Sequence, residues 1–292
     1  MLALAAVGLL LLVDPFGDVL GELASVDPGW VIVAVVLELA SCASYVIAFR
    51  WLLEPLSSRS VGTVGWLGLG AAALLPGGNV AGLAVSCWVL HRDGAPRRRL
   101  LTRSSVLLLL VNAVCVAGTG VAGALLLTGL AAGPHDLLRA GLPILVSAAS
   151  VALVAAIPRA MRRWGARTPA WIASLTDSVA QTGDLLRQPG RGLLSAAGYP
   201  LLDMAALWAV CAATGHAPSF AVLIVAYNIG YLASILPVPA GIGVLDGGLA
   251  GALIIYGTSP SAAVAAVLVY HALAVSIPAL GGLAASMQLR RS

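Results

Sequence analysis

Apolar residues run in blocks along this chain rather than alternating with polar ones. Trp30–Phe49, Ser104–Leu130, Leu137–Ile157, Leu193–Thr214 and Ala262–Met287 are each of the length that carries a helix across a hydrocarbon core of about 30 Å. Met1–Val13 is apolar but shorter. It has no basic leader and no small-residue cleavage site, so it reads as a further helix rather than a signal peptide. Asp14–Gly29 holds Asp14, Asp18, Glu22 and Asp27 without an arginine and reads as an acidic loop. Arg159–Arg191 carries six arginines and two aspartates among scattered Leu, Ile and Trp. That pattern predicts an amphipathic helix on the membrane surface, with Trp164 and Trp171 at headgroup level.

Two regions break the pattern. Val61–Leu75 and Val80–Leu90 flank Pro76-Gly77-Gly78-Asn79, while Ala217–Leu236 and Ile242–Tyr256 flank Pro237-Val-Pro239-Ala-Gly241. Eleven helical residues cover only about 17 Å, roughly half the core. Irregular backbone at membrane depth survives only inside protein or beside water. Each pair is therefore expected to form a re-entrant helical hairpin, over 61–91 and 217–256.

Composition agrees with a membrane protein. Hydrophobic residues make up 60% and charged residues 10%, against about 25% charged in soluble domains. This decides the reading of Gly241-Ile-Gly243-Val-Leu-Asp246-Gly247, which comes close to the dinucleotide-binding G-x-G-x-x-G. That loop belongs between a strand and a helix of a soluble unit. Here both flanks are membrane-grade, so a nucleotide is excluded and the glycines serve turning and close approach. Gly243–Gly247 and Gly247–Gly251 are also G-x-x-x-G spacings, which predict tight helix packing. Cys42, Cys87, Cys115 and Cys211 are scattered without ligand spacing. No metal or cofactor is expected.

Charge sets the topology. If each hairpin enters and leaves on one face, Arg50, Arg59, Arg92, Arg97–Arg99, Arg103, the 159–191 arginines and Arg290-Arg291 share a side, and Arg139 alone falls opposite. The positive-inside rule makes that side cytoplasmic, with the C terminus. The first hairpin then enters from the cytoplasm and the second from outside. Their tips align at an offset of 161 residues, Leu75-Pro76 over Leu236-Pro237. The expected fold is an all-α polytopic membrane protein of the inner (cytoplasmic) cell membrane. It has about six transmembrane helices plus two opposed re-entrant hairpins in an inverted repeat. Residues 1–158 form the first half, 159–191 a cytoplasmic linker and 192–292 the second half. Such repeats place a transport site at their interface.

At the tips the chain resembles the flippase-like membrane domain of lysylphosphatidylglycerol synthases and its stand-alone relatives. The resemblance runs from about Trp30 to the C terminus. It is carried by Pro237, Pro239, Gly241, Gly243 and Asp246, then by Gly257 and Tyr270-His271. In the first half it is carried by Leu75-Pro76-Gly77, Gly82 and the basic loop Arg92–Arg103. The resemblance implies opposed hairpins and the movement of charged lipids between leaflets. The chain departs from the family at several places. Gly82-Leu83 and Ser86 stand where Gly-Glu and an arginine are usual, and Leu245 where an arginine is usual. Asp246 replaces glutamate and His271 replaces arginine. The chain ends at Ser292 without a soluble aminoacyl-transfer domain, so the resemblance implies moving a modified lipid rather than making one.

Ionisable residues inside a membrane are functional candidates by default. Asp246 lies just past the second tip, suited to recognising a cation, to proton coupling or to capping the tip backbone. Asp203 and Glu38 lie about mid-span, each able to pair with an arginine or accept from a hydroxyl. A pairing of Asp246 with His271 would make a pH-sensitive switch. Asn79 can serve a phosphate oxygen or its own turn. Tyr227, Asn228 and Tyr231 form a polar patch ahead of the second tip. With Gly82, Pro237, Pro239, Gly241 and Gly243, these make up the expected substrate pathway. Arg92, Arg97, Arg98, Arg99 and Arg103 would gather anionic headgroups at about 1 kcal/mol per charge.

The expected activity is that of a lipid or lipid-linked-glycan flippase, not an enzyme: no nucleophile–base set or metal-binding acid cluster lies in the membrane segments. The alternative is a non-transporting subunit of an envelope lipid or glycan synthesis complex. The expected partner is a membrane phospholipid or lipid-linked substrate. Nucleic acid is excluded, and a homo-oligomer or an envelope-synthesis partner is left open.

Overall fold

The computed structural model describes residues 16–53, 61–164, 170–187, 190–233 and 244–290, and every regular element among them is helical. The expected helix over Met1–Val13 lies outside the described residues, as do Pro237, Pro239, Gly241 and Gly243. In chain order the helices are α1 (Phe16–Ala24), α2 (Pro28–Leu53), α3 (Val61–Leu74), α4 (Gly78–Arg92) and α5 (Arg97–Leu127). A π-helical turn (Leu137–Gly141) leads into α6 (Leu142–Trp164). Then come α7 (Ala170–Arg187), α8 (Arg191–Ala213), α9 (Phe220–Ala233), α10 (Val244–Ile255) and α11 (Pro260–Leu289).

Among the described residues, five helical segments are long and apolar enough to cross a membrane: Pro28–Leu53, Arg97–Leu127, Leu137–Ala156, Arg191–Ala213 and Pro260–Leu289. Their outward faces carry Ile32, Val36, Ile47, Val121, Leu153 and Leu280, all exposed. A soluble helix would be polar there, so these faces suit lipid contact. The chain is a multi-pass membrane protein.

Over the described residues, helices α3, α4, α9 and α10 are too short to span. With 12 to 15 residues each, they reach only about 18–22 Å. Helices α3 and α4 lie antiparallel. Ser86 Oγ donates to the Val64 carbonyl at 3.2 Å, and buried Gly82 rests against the Gly68 carbonyl. The chain reverses at Leu75-Pro76-Gly77, where Gly77 (φ 93°) and Gly78 (φ 51°) take left-handed conformations that disfavour any other residue. Helices α9 and α10 also pack together, Gly230 against Leu249.

The two halves match in layout. Shifting α2, α3, α4 and α5 by 161 residues brings them to 189–214, 222–235, 239–253 and 258–288, within a few residues of α8, α9, α10 and α11. They also exchange partners. Helix α2 packs along α8, where Ser41 Oγ donates to the Tyr199 carbonyl at 2.9 Å and Ser44 touches Gly198. Helix α3 crosses α11 with Gly70 on Gly282, and α9 lies on α5 with Ile224 near Gly118. So the first short helix of each half packs on the long helix that follows the other half's short pair.

Three expectations need correcting. The acidic 14–29 segment is not all loop. Val19 and Leu23 stand four apart and join the core, so α1 forms with Asp18 outward. Arg159–Arg191 is not one surface helix: α6 runs through residue 158 to Trp164, and α7 tucks buried Ser178 and Thr182 inward. Ser178 Oγ reaches the Thr102 carbonyl of α5 at 3.4 Å. Of the G-x-x-x-G glycines, Gly243 lies outside the described residues, and Gly247 and Gly251 are not packing points among the described residues. A Cβ on Gly247 or Gly251 would meet nothing described within 4 Å. The close backbone approach falls instead at Gly70 and Gly282, which no short-range spacing links.

Candidate functional site

A cavity of about 450 Å³ opens where α2, α3, α8, α9 and α11 meet the first tip. Helical periodicity aims its polar lining inward. Tyr199 and Asp203 sit four apart on α8, Tyr227 and Tyr231 four apart on α9, and Glu38 and Cys42 four apart on α2. Tyr270 and His271 come from α11, and Gly77, Gly78 and Asn79 from the tip. Pro278, inside α11, has no N–H to offer the Ala274 carbonyl, and both residues line the cavity.

Asp203 is the centre of the polar lining. It is 9% exposed and accepts from Tyr227 OH at 2.5 Å and Tyr270 OH at 2.6 Å, one tyrosine on each carboxyl oxygen. Glu38, 4% exposed, faces Asp203 across the α2–α8 seam on the same cavity wall. Its Oε1 takes a long 3.8 Å bond from Cys42 Sγ. Its Oε2 is reached by no N–H or O–H donor among the described residues. Neither acid pairs with an arginine, and no arginine lines the cavity among the described residues. At the tip, Asn79 Nδ2 donates to Tyr231 OH at 2.8 Å, and Tyr199 OH reaches Asn79 Oδ1 at 3.5 Å. Asn79 thus joins the first half to both α8 and α9. The Tyr227 and Tyr231 rings stack with centroids 6.3 Å apart.

The expected pathway residues that the structure describes divide into three groups. Glu38, Asn79, Asp203, Tyr227 and His271 line the cavity together. Asp246 lies behind His271, its Oδ1 2.7 Å from His271 Nδ1, and does not itself line the cavity. Gly82 and Asn228 do not line it. Gly82 is buried in the α3–α4 contact, where only a hydrogen atom fits against the Gly68 carbonyl. Asn228 donates to the Ile224 carbonyl at 2.8 Å and faces a neighbouring cavity of about 150 Å³. Tyr231 borders both cavities. Tyr199 and Tyr270 were missed as site residues, although their positions beside Asp203 and His271 in the helical repeat pointed to them.

The basic cluster sits at one end of the bundle, away from the cavity. Arg92, Arg97, Arg98 and Arg99 are exposed and Arg103 half-buried. Arg98 Nη2 lies 3.7 Å from Asp177, and Arg92 lies over the Trp88 ring at 6.0 Å. Arg97, Arg98 and Arg99 form the first turn of α5. Cations there oppose the helix dipole by about 0.3–1 kcal/mol each. An anionic surface opposite them would offset that.

No individual curated protein matches the sequence. The family described as the lysylphosphatidylglycerol synthase TM region matches residues 1–282, nearly the whole chain. With its helices long enough to span and its polar cavity inside an apolar body, the chain belongs to that family of membrane proteins tied to lipid chemistry.

Proposed function

We propose that this chain is a flippase, moving a phospholipid or lipid-linked headgroup between leaflets of the cell membrane. The observation that carries this reading is the cavity. It gathers Glu38, Asn79, Tyr199, Asp203, Tyr231 and Tyr270 from both matched halves, inside a body whose outer faces are apolar. Headgroups would cross through it while acyl chains stay in the bilayer.

The paired short helices α3/α4 and α9/α10 are read as two re-entrant hairpins, entering from opposite faces among about six transmembrane helices. Their length, about two-thirds of the core, and the exchanged packing of the halves support an inverted repeat. The arginine-rich end is assigned to the cytoplasm, with the C terminus. There Arg92, Arg97, Arg98, Arg99 and Arg103 would gather anionic lipid. The role is transport, not catalysis.

The test follows fluorescent lipid in proteoliposomes of the purified protein, comparing labelled phosphatidylglycerol with a neutral labelled lipid. Quenching from outside beyond the outer-leaflet fraction, slowed by Asp203→Asn, supports the flippase. Quenching that halts at the outer leaflet for both lipids would sink this reading for phospholipids. The choice would then move to a lipid-linked glycan or to a non-transporting subunit of an envelope-synthesis complex.

A further inference from the structure

We propose that Glu38 and Asp203 together form a proton-binding site on the cavity wall, and that this site couples lipid movement to the transmembrane proton gradient.

Two carboxylates offer only acceptors, yet these two are both buried on the wall of one cavity and face each other across the α2–α8 seam. Asp203 already has a tyrosine hydroxyl on each oxygen. Glu38 lines the cavity, and its Oε2 is buried and lacks a donor among the described residues. A proton on Glu38 supplies that donor and cancels one of two like charges in a low-dielectric site. Among the described residues, the groups facing the pair offer no cation to do this instead. They are Cys42 on α2, Cys115 on α5, Tyr199 on α8, Tyr227 and Tyr231 on α9, and Tyr270 on α11. His271, the nearest basic side chain on the cavity wall, is engaged with Asp246 of α10.

Geometry connects this proton to movement. The pair spans the seam between α2 and α8, the corresponding helices of the two halves. Parting them separates the carboxyls and exposes the buried Glu38 Oε2 to the cavity that Glu38 already lines, where the proton can leave. Closing them demands a proton again. One proton is bound from one side and released to the other; the O–H bond on Glu38 forms and breaks, and no other covalent bond changes. The coupling, though not the site, rests on the transport reading above. An imposed difference of about one pH unit would shift the lipid equilibrium about tenfold per proton carried.

The experiment joins two measurements on reconstituted protein. Infrared spectra read the carbonyl stretch of a protonated carboxyl, which stands apart from carboxylate and amide absorptions. Lipid movement is then followed with and without a pH gradient. The variants are Glu38→Gln, whose amide can still donate to Asp203, and Asp203→Asn. The expected result is an acid band at neutral pH in the wild type that both substitutions remove. Wild-type movement responds to the gradient, while whatever movement Glu38→Gln retains is indifferent to it. Absence of the band, or its survival in both variants, overturns the proton site. Wild-type movement indifferent to the gradient overturns the coupling and leaves the flippase standing. No lipid movement in any preparation defeats transport and coupling together, and the band alone then decides the site.

Discussion

His271 Nδ1 lies 2.7 Å from Asp246 Oδ1, tying the middle of α11 to the first turn of α10. His271 Nε2 is buried and finds no hydrogen-bond partner among the described residues, and its ring borders the cavity. The dyad is thus a second link between the wall of the cavity and α10, which also reaches that wall through Leu249. Asp246→Asn and His271→Gln should each lower the melting temperature in detergent, and the double variant should lose less than their sum. A coupling of about 0.5–3 kcal/mol is expected for residues in direct contact. Strict additivity in the thermal-melt cycle would show that the contact does not link the helices.

Gly70 and Gly282 bring α3 and α11 together backbone to backbone. A Cβ on Gly70 would come within 2.8 Å of the Gly282 Cα, and one on Gly282 within 2.7 Å of the Gly70 Cα. Neither helix can retreat locally, because the obstructing atoms are main chain. Gly70→Ala or Gly282→Ala should destabilise by about 1–3 kcal/mol, as overpacking does. Gly251→Ala meets no such obstacle and should be neutral or stabilising by roughly 0.5–1 kcal/mol, through lost backbone freedom in the unfolded chain. Equal thermal shifts for all three variants would contradict this steric account.

These glycines also show what a single sequence conceals. The spans were legible because lipid demands long apolar runs, and the first tip because Pro76-Gly77-Gly78 interrupts one. Asp203 and Glu38 stood out as acids in apolar surroundings, but nothing in their local sequence said that they face each other. That contact depends on the α2–α8 crossing, which unites residues 165 positions apart. Likewise, G-x-x-x-G reports one face of one helix and cannot name its partner. Gly70 and Gly282 lie in separate helices and form no motif. Helix α1 escaped notice because its acids dominated the composition, although Val19 and Leu23 already carried a helical period.

The hydroxyls of Tyr227 and Tyr270 hold both oxygens of Asp203. Phenylalanine keeps each ring and removes only the donor. Tyr227→Phe and Tyr270→Phe should each cost about 1.5–3 kcal/mol if the bond is charge-assisted. The figure falls toward about 0.6 kcal/mol if partners in the unfolded membrane state compensate. Because each bond holds a different oxygen, the double variant should leave Asp203 bound only through Glu38 and slow lipid movement more than either single change. Unfolding of the purified variants and the quenching assay read the two effects separately. A double variant with wild-type stability and rate would remove the tyrosines from the site.

At the end of the bundle away from the basic cluster, Asp136 caps the π-helical turn. Its Oδ1 accepts from the Arg139 N–H at 2.9 Å, and its Oδ2 from Arg139 Nε at 2.7 Å. Arg139 Nη1 donates onward to the Ile255 carbonyl at 3.1 Å, and Tyr256 OH donates to the Arg139 carbonyl at 2.5 Å, so one arginine staples the start of α6 to the end of α10. The Arg139 backbone N–H, followed by its guanidinium, holds the Asp136 carboxyl below the usual carboxylate range. A folded value below the unfolded one means that the ionised form favours the folded turn. This contribution is therefore fully present above the unfolded value of 3.8 and disappears as the pH falls through the lower, folded one. Amide exchange over residues 137–141, corrected for intrinsic pH dependence, should lose protection in that acid window. Asp136→Asn should flatten the profile and lower protection at neutral pH, while Tyr256→Phe should loosen α10 without altering the acid response. An acid profile unchanged by Asp136→Asn would assign the turn's order to packing alone.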